Sequence, residues 1–302
     1  MNRENFSKIR LIGAPVDAGA GRLGCRMGPD ALRVAGIQPA LIELGMEVED
    51  LGDLPRAPDS ELGEIAAWTR VLAAEARGAL SDGCTPIFLG GDHSLSMGSV
   101  AGAARFAADA GRALHVIWLD AHADFNTPTT SPSGNMHGMP MAFFCGEPGF
   151  NGYLEDLAVT PPQNVHIFGV RSIDAQERAL LAGRGVDVCD MRMIDEHGAP
   201  DLLRRILAEV AADEALLHVS FDVDFLDPEV APGVGTTVPG GATFREAHLA
   251  MEMICDSGLL TSLDLVELNP YLDDRGRSAR AMVELTESAF GQRIFDRPTQ
   301  TV

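Results

Sequence analysis

Two short segments of the chain carry metal-ligating side chains at every second position. One holds Asp120, His122 and Asp124 with alanines between them, and the other holds Asp222 and Asp224 on either side of a valine. On an extended backbone, side chains two residues apart point to the same side of the strand. We therefore expect each segment to present its carboxylates and imidazole together, as a set of ligands for a cation.

A third segment supplies another imidazole, because the two glycines of Gly-Gly-Asp-His at 90–93 allow a tight turn that presents His93. The neighbouring Asp92 either orients His93 through a hydrogen bond or caps the turn. Together the segments offer two imidazoles and four carboxylates, whose repulsion two divalent cations would offset. Oxygen-rich ligation with some imidazole favours Mn²⁺, with Co²⁺ or Zn²⁺ as alternatives. Paired ions about 3.5–4 Å apart activate water as a nucleophile.

These segments follow predicted strands, because apolar β-rich runs alternate with helical patterns along most of the chain. The predicted strands are 9–15, 47–51, 85–90, 113–120, 164–170, 186–189, 216–224 and 262–268. The predicted helices are 29–35, 60–81, 98–110, 175–182, 199–214, 244–257 and 278–290. Continuous apolar strands are typical of a parallel sheet with helices on both faces. The sequence therefore predicts a three-layer α/β/α fold with a doubly wound, mainly parallel sheet, whose ligands lie at the carboxyl ends of the strands.

The composition limits the classes of protein to which the chain can belong. Its 302 residues include 23 Lys+Arg and 44 Asp+Glu, a formal charge of −21, and a surface this acidic repels nucleic acids and anionic membranes. We find no repeat and no low-complexity linker, so one catalytic domain over 1–302 is the simplest organisation. Five scattered cysteines, no secretory signal and no bilayer-length apolar run predict a reduced, cytoplasmic protein.

The metal-ligating segments belong to a larger pattern. A glycine-rich segment at 21–33, the segment 230–241 and the Glu-Leu-Asn-Pro sequence at 267–270 accompany them. In this combination nearly the whole chain resembles the ureohydrolase family, which contains arginases, agmatinases and formiminoglutamases. The resemblance implies an arginase-like α/β/α fold, two Mn²⁺ per chain and a homo-oligomer, either a trimer or a hexamer. It assigns one ion to His93, Asp120, Asp124 and Asp222, and the other to Asp120, His122, Asp222 and Asp224.

Two further segments distinguish among members of the family. In the polar segment 124–138, the resemblance assigns three residues to the α-carboxylate of an amino acid: Asn126, Ser133 and Asn135. Neutral amide and hydroxyl groups can donate to such a carboxylate. A second segment supplies Asp174 and Glu177 for the α-ammonium group, Glu177 largely through water, although Ser172 replaces an aspartate found in many arginases. The alternatives are a polar segment that is only solvated and an Asp174 that only caps the following helix.

The resemblance also assigns residues to the reacting end of the substrate. Glu267, at a predicted strand end, would pair with a guanidinium through two parallel N–H bonds. Thr236 would lie beside Glu267, and His137, whose pKa range suits proton transfer, would shuttle protons at the mouth of the site. A structural role is the alternative for each of the three. No such pattern surrounds the remaining histidines, which we interpret as structural or surface residues: His115, His166, His197, His218 and His248.

By this resemblance the chain hydrolyses L-arginine to L-ornithine and urea. A hydroxide bridging the two ions would attack the guanidinium carbon held by Glu267, Asp124 would relay the proton to the leaving amine, and His137 would exchange protons with bulk water. Agmatinase or another guanidino-acid hydrolase is the alternative within the family, but agmatine lacks the carboxylate that Asn126 would receive. A non-catalytic, metal-free relative is the alternative outside enzymes. A two-metal phosphoesterase is disfavoured, because its Gly-Asp-x-x-Asp and Gly-Asn-His motifs are absent from the sequence.

Overall fold

The computed structural model describes residues 8–55, 62–295 and 298–299. Its centre is a sheet of eight strands, which are β1 (Lys8–Ala14), β2 (Glu47–Asp53), β3 (Thr85–Gly90), β4 (Leu114–Leu119), β5 (Val165–Val170), β6 (Asp187–Asp190), β7 (Leu216–Asp222) and β8 (Leu260–Val266). All neighbouring strands are parallel, in the order β2-β1-β3-β8-β7-β4-β5-β6.

Ten helices cover this sheet within the described part of the chain. They are α1 (Gly28–Val34), α2 (Ile37–Glu43), α3 (Glu64–Ser81), α4 (Ser96–Asp109), α5 (Pro140–Phe144), α6 (Ala175–Arg184), α7 (Met191–His197), α8 (Ala199–Ala212), α9 (Phe244–Ser257) and α10 (Arg277–Ala289). Each of these helices is too short or too polar to traverse a membrane.

Alternate residues of each strand face opposite helix layers. On β3, Ile87 and Leu89 pack in the layer of α1, α2 and α7–α10, whereas Phe88 packs in the layer of α3–α6. Strands β3, β4, β5 and β7 are buried along their whole length, because helices cover both of their faces. The predicted three-layer α/β/α fold with a parallel sheet is confirmed.

The helices agree with the sequence less closely than the strands do. All eight strands are predicted, but α2, α5 and α7 are not, because their five to seven residues show too few turns of a hydrophobic period. The start of helix 60–81 lies outside the described residues, and α3 begins at Glu64. The cap of α9 is built as predicted, since Thr243 Oγ1 accepts from Glu246 N at 3.3 Å and the Glu246 carboxylate accepts from Thr243 N at 2.7 Å.

One prediction about the ligand-bearing strands is wrong. Strand β4 ends at Leu119 and β7 ends at Asp222, so most of the predicted ligands follow the strands and do not lie on them. Val223–Phe225 form a single 3-10 turn, and Asp124 has a left-handed backbone with φ of 50°. The ligands therefore share a side because tight turns at the strand ends bring them together, and not because side chains alternate along an extended backbone.

The connectivity places these turns near the centre of the sheet. Strands β3 and β4 follow each other along the chain but lie three positions apart, with β8 and β7 between them. Because the strands are parallel, the carboxyl ends of β3, β8, β7, β4 and β5 form one continuous edge. Open α/β sheets bind ligands where the strand order changes in this way.

Candidate metal centre and substrate cleft

His93, which follows β3, lies among three buried carboxylates. Its Nδ1 atom is 3.1 Å from Asp120 Oδ2, 3.0 Å from Asp124 Oδ2 and 3.1 Å from Asp222 Oδ2. The carboxylates come from the turns after β4 and β7, so adjacent regions of one sheet edge converge on a single imidazole nitrogen.

A second imidazole, that of His122, lies next to this group. Its Nδ1 atom is 3.0 Å from Asp224 Oδ2 and 3.5 Å from Asp120 Oδ1. Asp120 therefore has one oxygen near His93 and the other near His122. The six residues predicted as metal ligands thus lie in two adjoining groups that share one carboxylate.

Backbone N–H groups hold the aspartates in position. The Oδ1 atom of Asp120 accepts from His122 N at 2.6 Å. In the same way, Asp222 Oδ1 accepts from Asp224 N at 2.7 Å, and Asp224 Oδ1 accepts from Ala121 N at 3.0 Å. In each case the remaining oxygen, Oδ2, faces an imidazole. The tight turns after β4 and β7 therefore set the orientation of the carboxylates as well as their position.

The donor atoms of this cluster fit two divalent cations. His93 Nδ1 and Asp120 Oδ2 are buried and have no hydrogen-bond partner among the described residues, whereas buried polar atoms are nearly always paired. Ligand atoms lie within 4.8 Å of one another in each of two groups: His93, Asp120 and Asp124, and Asp120, His122 and Asp224. Carboxylate oxygens combined with imidazole nitrogens form a donor set suited to Mn²⁺, Co²⁺ or Zn²⁺.

The electrostatics of the cluster show an excess of negative charge. Burial and the charge of Asp120 raise the pKa of Asp124 to about 6. Burial, together with Asp224 and Asp120, also raises the pKa of Asp222 well above its usual range. Burial alone would lower the pKa of His93, but the three carboxylates around it raise that pKa. These carboxylates can all be ionised at neutral pH only when positive charge lies between them.

Two residues that the sequence did not indicate fix the His93 ring. Its Nε2 atom is 2.8 Å from Ser220 Oγ, and the ring stacks on Trp118 with centroids 4.0 Å apart and planes 3° from parallel. Because Ser220 engages Nε2, Nδ1 is the nitrogen presented to a cation. The one signal for Ser220 in the sequence is its position two residues before Asp222 on β7, which places both on the same face.

Asp92 takes the second of its two predicted roles, because it caps the turn after β3. Its carboxylate accepts from Ser94 N at 3.0 Å and from Gly19 N at 2.7 Å, so it also ties the turn to the segment that follows β1. The turn packs tightly against that segment. A Cβ atom on Gly91 would lie 2.0 Å from Val16 O, so a residue with a side chain cannot occupy this position without a backbone shift.

Glu267 follows β8 with a left-handed backbone, φ 64°, a conformation that costs a non-glycine residue about 1–3 kcal/mol. Its N–H donates to Gly91 O at 2.8 Å, and its Oε1 accepts from His93 N at 2.8 Å. The turn after β3 therefore fixes both the backbone and the carboxylate of Glu267. Its Oε2 lies 3.6 Å from the buried thiol of Cys25, a contact that the sequence did not indicate.

His137 lies beside Glu267, with Nδ1 2.9 Å from Glu267 Oε1. Burial acts to lower the pKa of His137, but Glu267 and Asp124 outweigh this effect and raise it to about 9. Burial acts to raise the pKa of Glu267, but His137 and the His93 N–H lower it. A cationic ligand for Glu267 therefore has to displace His137 or share the carboxylate with it.

A cleft of about 640 Å³ opens at the metal ligands. Its lining includes every residue predicted to bind or convert the substrate: Asp124, Asn126, Ser133, Asn135, His137, Asp174, Glu177, Thr236 and Glu267. Two further predicted metal ligands, His122 and Asp222, line it as well, and so does Ser172. The segments at the ends of four neighbouring strands, β8, β7, β4 and β5, thus supply one continuous surface.

The residues predicted for the two groups of an α-amino acid are neighbours in this cleft. Asn126 Nδ2 donates to Asp174 Oδ2 at 3.2 Å, and Asn126 Oδ1 accepts from Thr130 Oγ1 at 3.0 Å. Glu177 is buried, with Oε1 accepting from Phe125 N at 2.8 Å and Oε2 from Asp174 N at 3.3 Å. Burial raises the pKa of Glu177 to about 7. Glu177 therefore holds Asp174 and the segment after β4 in place, beside any contact with a ligand.

The remaining predicted residues differ in their surroundings. Ser133 is exposed and Asn135 is half-buried, and Asn135 N donates to Ser133 Oγ at 3.2 Å. Thr236 Oγ1 donates to Asp224 Oδ2 at 3.2 Å. Thr236 therefore contacts a metal-ligand candidate directly while it shares the lining of the cleft with Glu267.

Comparison with known proteins identifies the family. Residues 7–291 match the sequence profile of the Arginase family. An arginase of Brucella melitensis is 54% identical over 301 residues, which cover 96% of this chain and 98% of that protein. An arginase of Bacillus subtilis is 40% identical over 300 residues, which cover 95% and 99%. A solved arginase structure from Bacillus caldovelox superposes with a TM-score of 0.90 at 38% identity, covering 96% of this chain and 100% of the other. The chain therefore belongs to the arginase family of hydrolases.

Proposed function

We propose that this protein hydrolyses L-arginine to L-ornithine and urea with two Mn²⁺ ions per chain. The observation that carries the proposal is the composition of a single cleft. Glu267, beside the metal-ligand cluster, suits a guanidinium, and the adjacent Asn126 and Asp174 suit an α-carboxylate and an α-ammonium. A substrate with a guanidinium at one end and an α-amino acid at the other satisfies both sets of groups.

The guanidinium is oriented by Glu267. Its carboxylate is buried and its backbone is held by Gly91, so the acceptor oxygens have a fixed direction. A guanidinium presents parallel N–H groups that match the two oxygens of a carboxylate. It also replaces the positive charge that His137 provides to Glu267 in the absence of substrate. Glu267 thereby places the guanidinium carbon next to the cluster of His93, His122 and the four aspartates.

Protons move through Asp124 and His137. When bound, the two ions supply a water that is deprotonated near neutral pH, and they offset the charge of the carboxylates. Asp124 lines the cleft and lies among the candidate ligands, so it accepts the proton that remains on the attacking oxygen and delivers it to the leaving amine. His137 is partly exposed and contacts Glu267, so it exchanges protons between the cleft and bulk water.

The α-amino acid end is recognised at the rim. Asn126, Ser133 and Asn135 donate to the α-carboxylate, and Asp174 accepts from the α-ammonium, with Glu177 supporting Asp174. Asn126 Nδ2 has two hydrogens, and the contact with Asp174 uses one of them. The other can serve a carboxylate. Agmatine lacks that carboxylate, so these donors would stay unpaired in its complex.

We also propose the properties that the family resemblance implies for the whole molecule. The ions are manganese, the chain forms a homo-oligomer, either a trimer or a hexamer, and the protein works in the cytoplasm on a small-molecule substrate, without nucleic acid or membrane. Elemental analysis of the purified protein tests the metal, and sedimentation velocity tests the assembly.

The proposed reaction is tested with protein stripped by a chelator and then reloaded with Mn²⁺. We expect urea release from L-arginine to disappear on stripping and to return on reloading, with about two manganese ions bound per chain. Protein that binds two ions but releases no urea from L-arginine would contradict the reaction. Full activity in the stripped protein would contradict the role of the metal.

A further inference from the structure

Two buried imidazoles, separate from those of His93 and His122, lie at the amino ends of β4 and β5. His115 is the second residue of β4 and His166 the second residue of β5, and both side chains are 0% exposed. His115 Nδ1 lies 3.0 Å from His166 Nε2, with the rings 15° from parallel. Five residues of strand, about 16 Å, separate His115 from Asp120, so this pair is distinct from the candidate catalytic centre.

A carboxylate contacts the outer nitrogen of each ring. His115 Nε2 lies 3.0 Å from Asp213 Oδ2, and His166 Nδ1 lies 3.0 Å from Asp187 Oδ2. A neutral imidazole carries one N–H and an ionised carboxylate carries none. Asp213, His115, His166 and Asp187 form a row with three contacts. A hydrogen bond at every contact would need three protons, but two neutral imidazoles supply only two. When each ring donates to its carboxylate, His115 Nδ1 and His166 Nε2 face each other as two lone pairs.

A third carboxylate and a charge imbalance accompany the pair. Glu209 lies one helical turn before Asp213, and one of its oxygens is within 4.8 Å of a nitrogen of each histidine. Arg205 contacts Asp187 at 3.0 and 3.1 Å. The carboxylates of Asp187, Glu209 and Asp213 and the guanidinium of Arg205 together carry a net charge of −2. One divalent cation between the two lone pairs would neutralise that charge.

We propose that His115, His166 and Glu209 bind one divalent transition-metal ion of the zinc class. Imidazole nitrogens suit Zn²⁺, Ni²⁺ and Cu²⁺, and a carboxylate on the outer nitrogen of each ring is the usual way in which metal-ligating histidines are oriented. Two nitrogens on a tetrahedral zinc at 2.0–2.1 Å lie about 3.3 Å apart. The observed 3.0 Å separation therefore needs to open by only about 0.3 Å.

The alternative to a metal ion is a proton shared between His115 Nδ1 and His166 Nε2. Burial lowers the pKa of His115, against the opposing effect of Asp213, so the ring favours its neutral form, in which it can ligate a metal. A proton between the rings also makes no use of Glu209, whereas a metal ion takes it as a third ligand. The metal would join β4, β5 and α8, and its binding would stabilise the folded chain.

The test uses manganese-loaded protein equilibrated with Zn²⁺ and desalted, with manganese and zinc counted together by elemental analysis. Because both metals are counted, exchange of zinc into the catalytic centre leaves the total unchanged. We expect about three ions per chain in the wild type, two of them catalytic, and one fewer in His166→Gln with urea release retained. Glu209→Gln should bind the additional ion at least about 10-fold more weakly. Glu214→Gln, an exposed residue two positions beyond the end of α8, is the matched control and should behave as the wild type.

The same number of ions in the wild type and in His166→Gln would overturn the proposal, and a shared proton predicts that result. Glu209 is exposed, so Glu209→Gln leaves the buried core intact and decides the matter even where His166→Gln does not fold. An unchanged zinc affinity in Glu209→Gln would likewise overturn the proposal, because the proposed site needs Glu209 as its third ligand.

Discussion

Two regions of the cleft are built in different ways. The floor consists of the candidate metal ligands and Glu267, and the rim consists of Asn126, Ser133, Asn135 and Asp174. At the floor, Asp120 and Asp222 are 0% and 2% exposed and accept hydrogen bonds from backbone N–H groups in turns at strand ends. At the rim, Ser133 is exposed, and its hydroxyl accepts from the N–H of Asn135 in the same segment. The floor is anchored by the sheet, whereas the rim is a loop that can change without disturbing it. The proposed chemistry is thus placed in the part of the cleft anchored by the sheet, and the proposed recognition of the substrate's far end is placed in a loop.

Backbone strain follows the same division. Asp124 and Glu267 have φ values of 50° and 64°, and each such conformation costs about 1–3 kcal/mol in a non-glycine residue. At the rim the positive φ belongs to Gly134, for which it costs little. The fold therefore tolerates strain at two residues of the floor that the proposed mechanism uses directly.

The largest effect is expected from removing a floor carboxylate. Asp222→Ala removes a group that lies 3.1 Å from His93 Nδ1 and that both proposed ions would share. We expect urea release to fall by more than about 100-fold, since even partners outside the ligand set cost 10–100-fold in metal sites. Manganese content should fall with it. The surface variant Asp201→Ala is the control, and an Asp222→Ala protein with normal metal content and activity would contradict the ligand assignment.

Glu267→Gln distinguishes a role of Glu267 in binding the guanidinium from a role in supporting the metal centre. The amide keeps the shape of the side chain but loses the charge, and loss of one partner of a buried ion pair costs about 2–5 kcal/mol. We expect kcat/KM for L-arginine to fall by about 100-fold, while the manganese content stays at its wild-type value. Loss of manganese in parallel with activity would show instead that Glu267 supports the metal centre.

Asn126→Ala moves the test to the rim. One hydrogen bond to a carboxylate is worth about 1.5 kcal/mol, so KM for L-arginine should rise by about 10-fold. The kinetics with agmatine should change little, because agmatine has no carboxylate to lose. Kinetic constants for both substrates measure the difference. Equal losses on the two substrates would argue against a carboxylate contact at Asn126.

The smallest effect is expected from Ser133→Ala. The hydroxyl is exposed, so water replaces part of what it donates, and a net loss of about 0.5 kcal/mol corresponds to roughly a 2-fold rise in KM for L-arginine. Thr129→Ala, an exposed residue of the same loop, is the matched control. A loss as large as that of Asn126→Ala would show that the exposed Ser133 contributes as much to binding as the buried Asn126.

The sequence predicted which residues form the floor, but it did not predict the turns that bring their side chains together. The two-residue spacing of Asp120, His122 and Asp124 pointed to them as candidate ligands, but the side chains converge through turns and a left-handed residue that the spacing does not reveal. The role of Ser220 was missed because it depends on strand order. Trp118 and Ser220 are paired between β4 and β7, although 102 residues separate them along the chain, and no local pattern records that pairing.

The rim was predicted on a different basis. Its residues have no hydrophobic period, so Asn126 and Asp174 were assigned by family resemblance alone, and the hydrogen bond between them became visible only in three dimensions. The interpretation of His115 and His166 as structural residues likewise rested on the sequence around each residue, which does not show that the two side chains meet. Their contact joins β4 and β5, which are adjacent in the sheet, although 51 residues separate His115 from His166 along the chain.

The most direct test is the substrate preference of the manganese-loaded wild-type protein. Urea release is measured for L-arginine, agmatine and guanidinobutyrate under the same conditions. A rim built for an α-amino acid predicts that kcat/KM for L-arginine exceeds that for the other two by at least about 100-fold, because polar groups left unpaired discriminate strongly against the incomplete substrate. Equal or greater activity on agmatine or guanidinobutyrate would contradict the proposal that this protein is an arginine hydrolase.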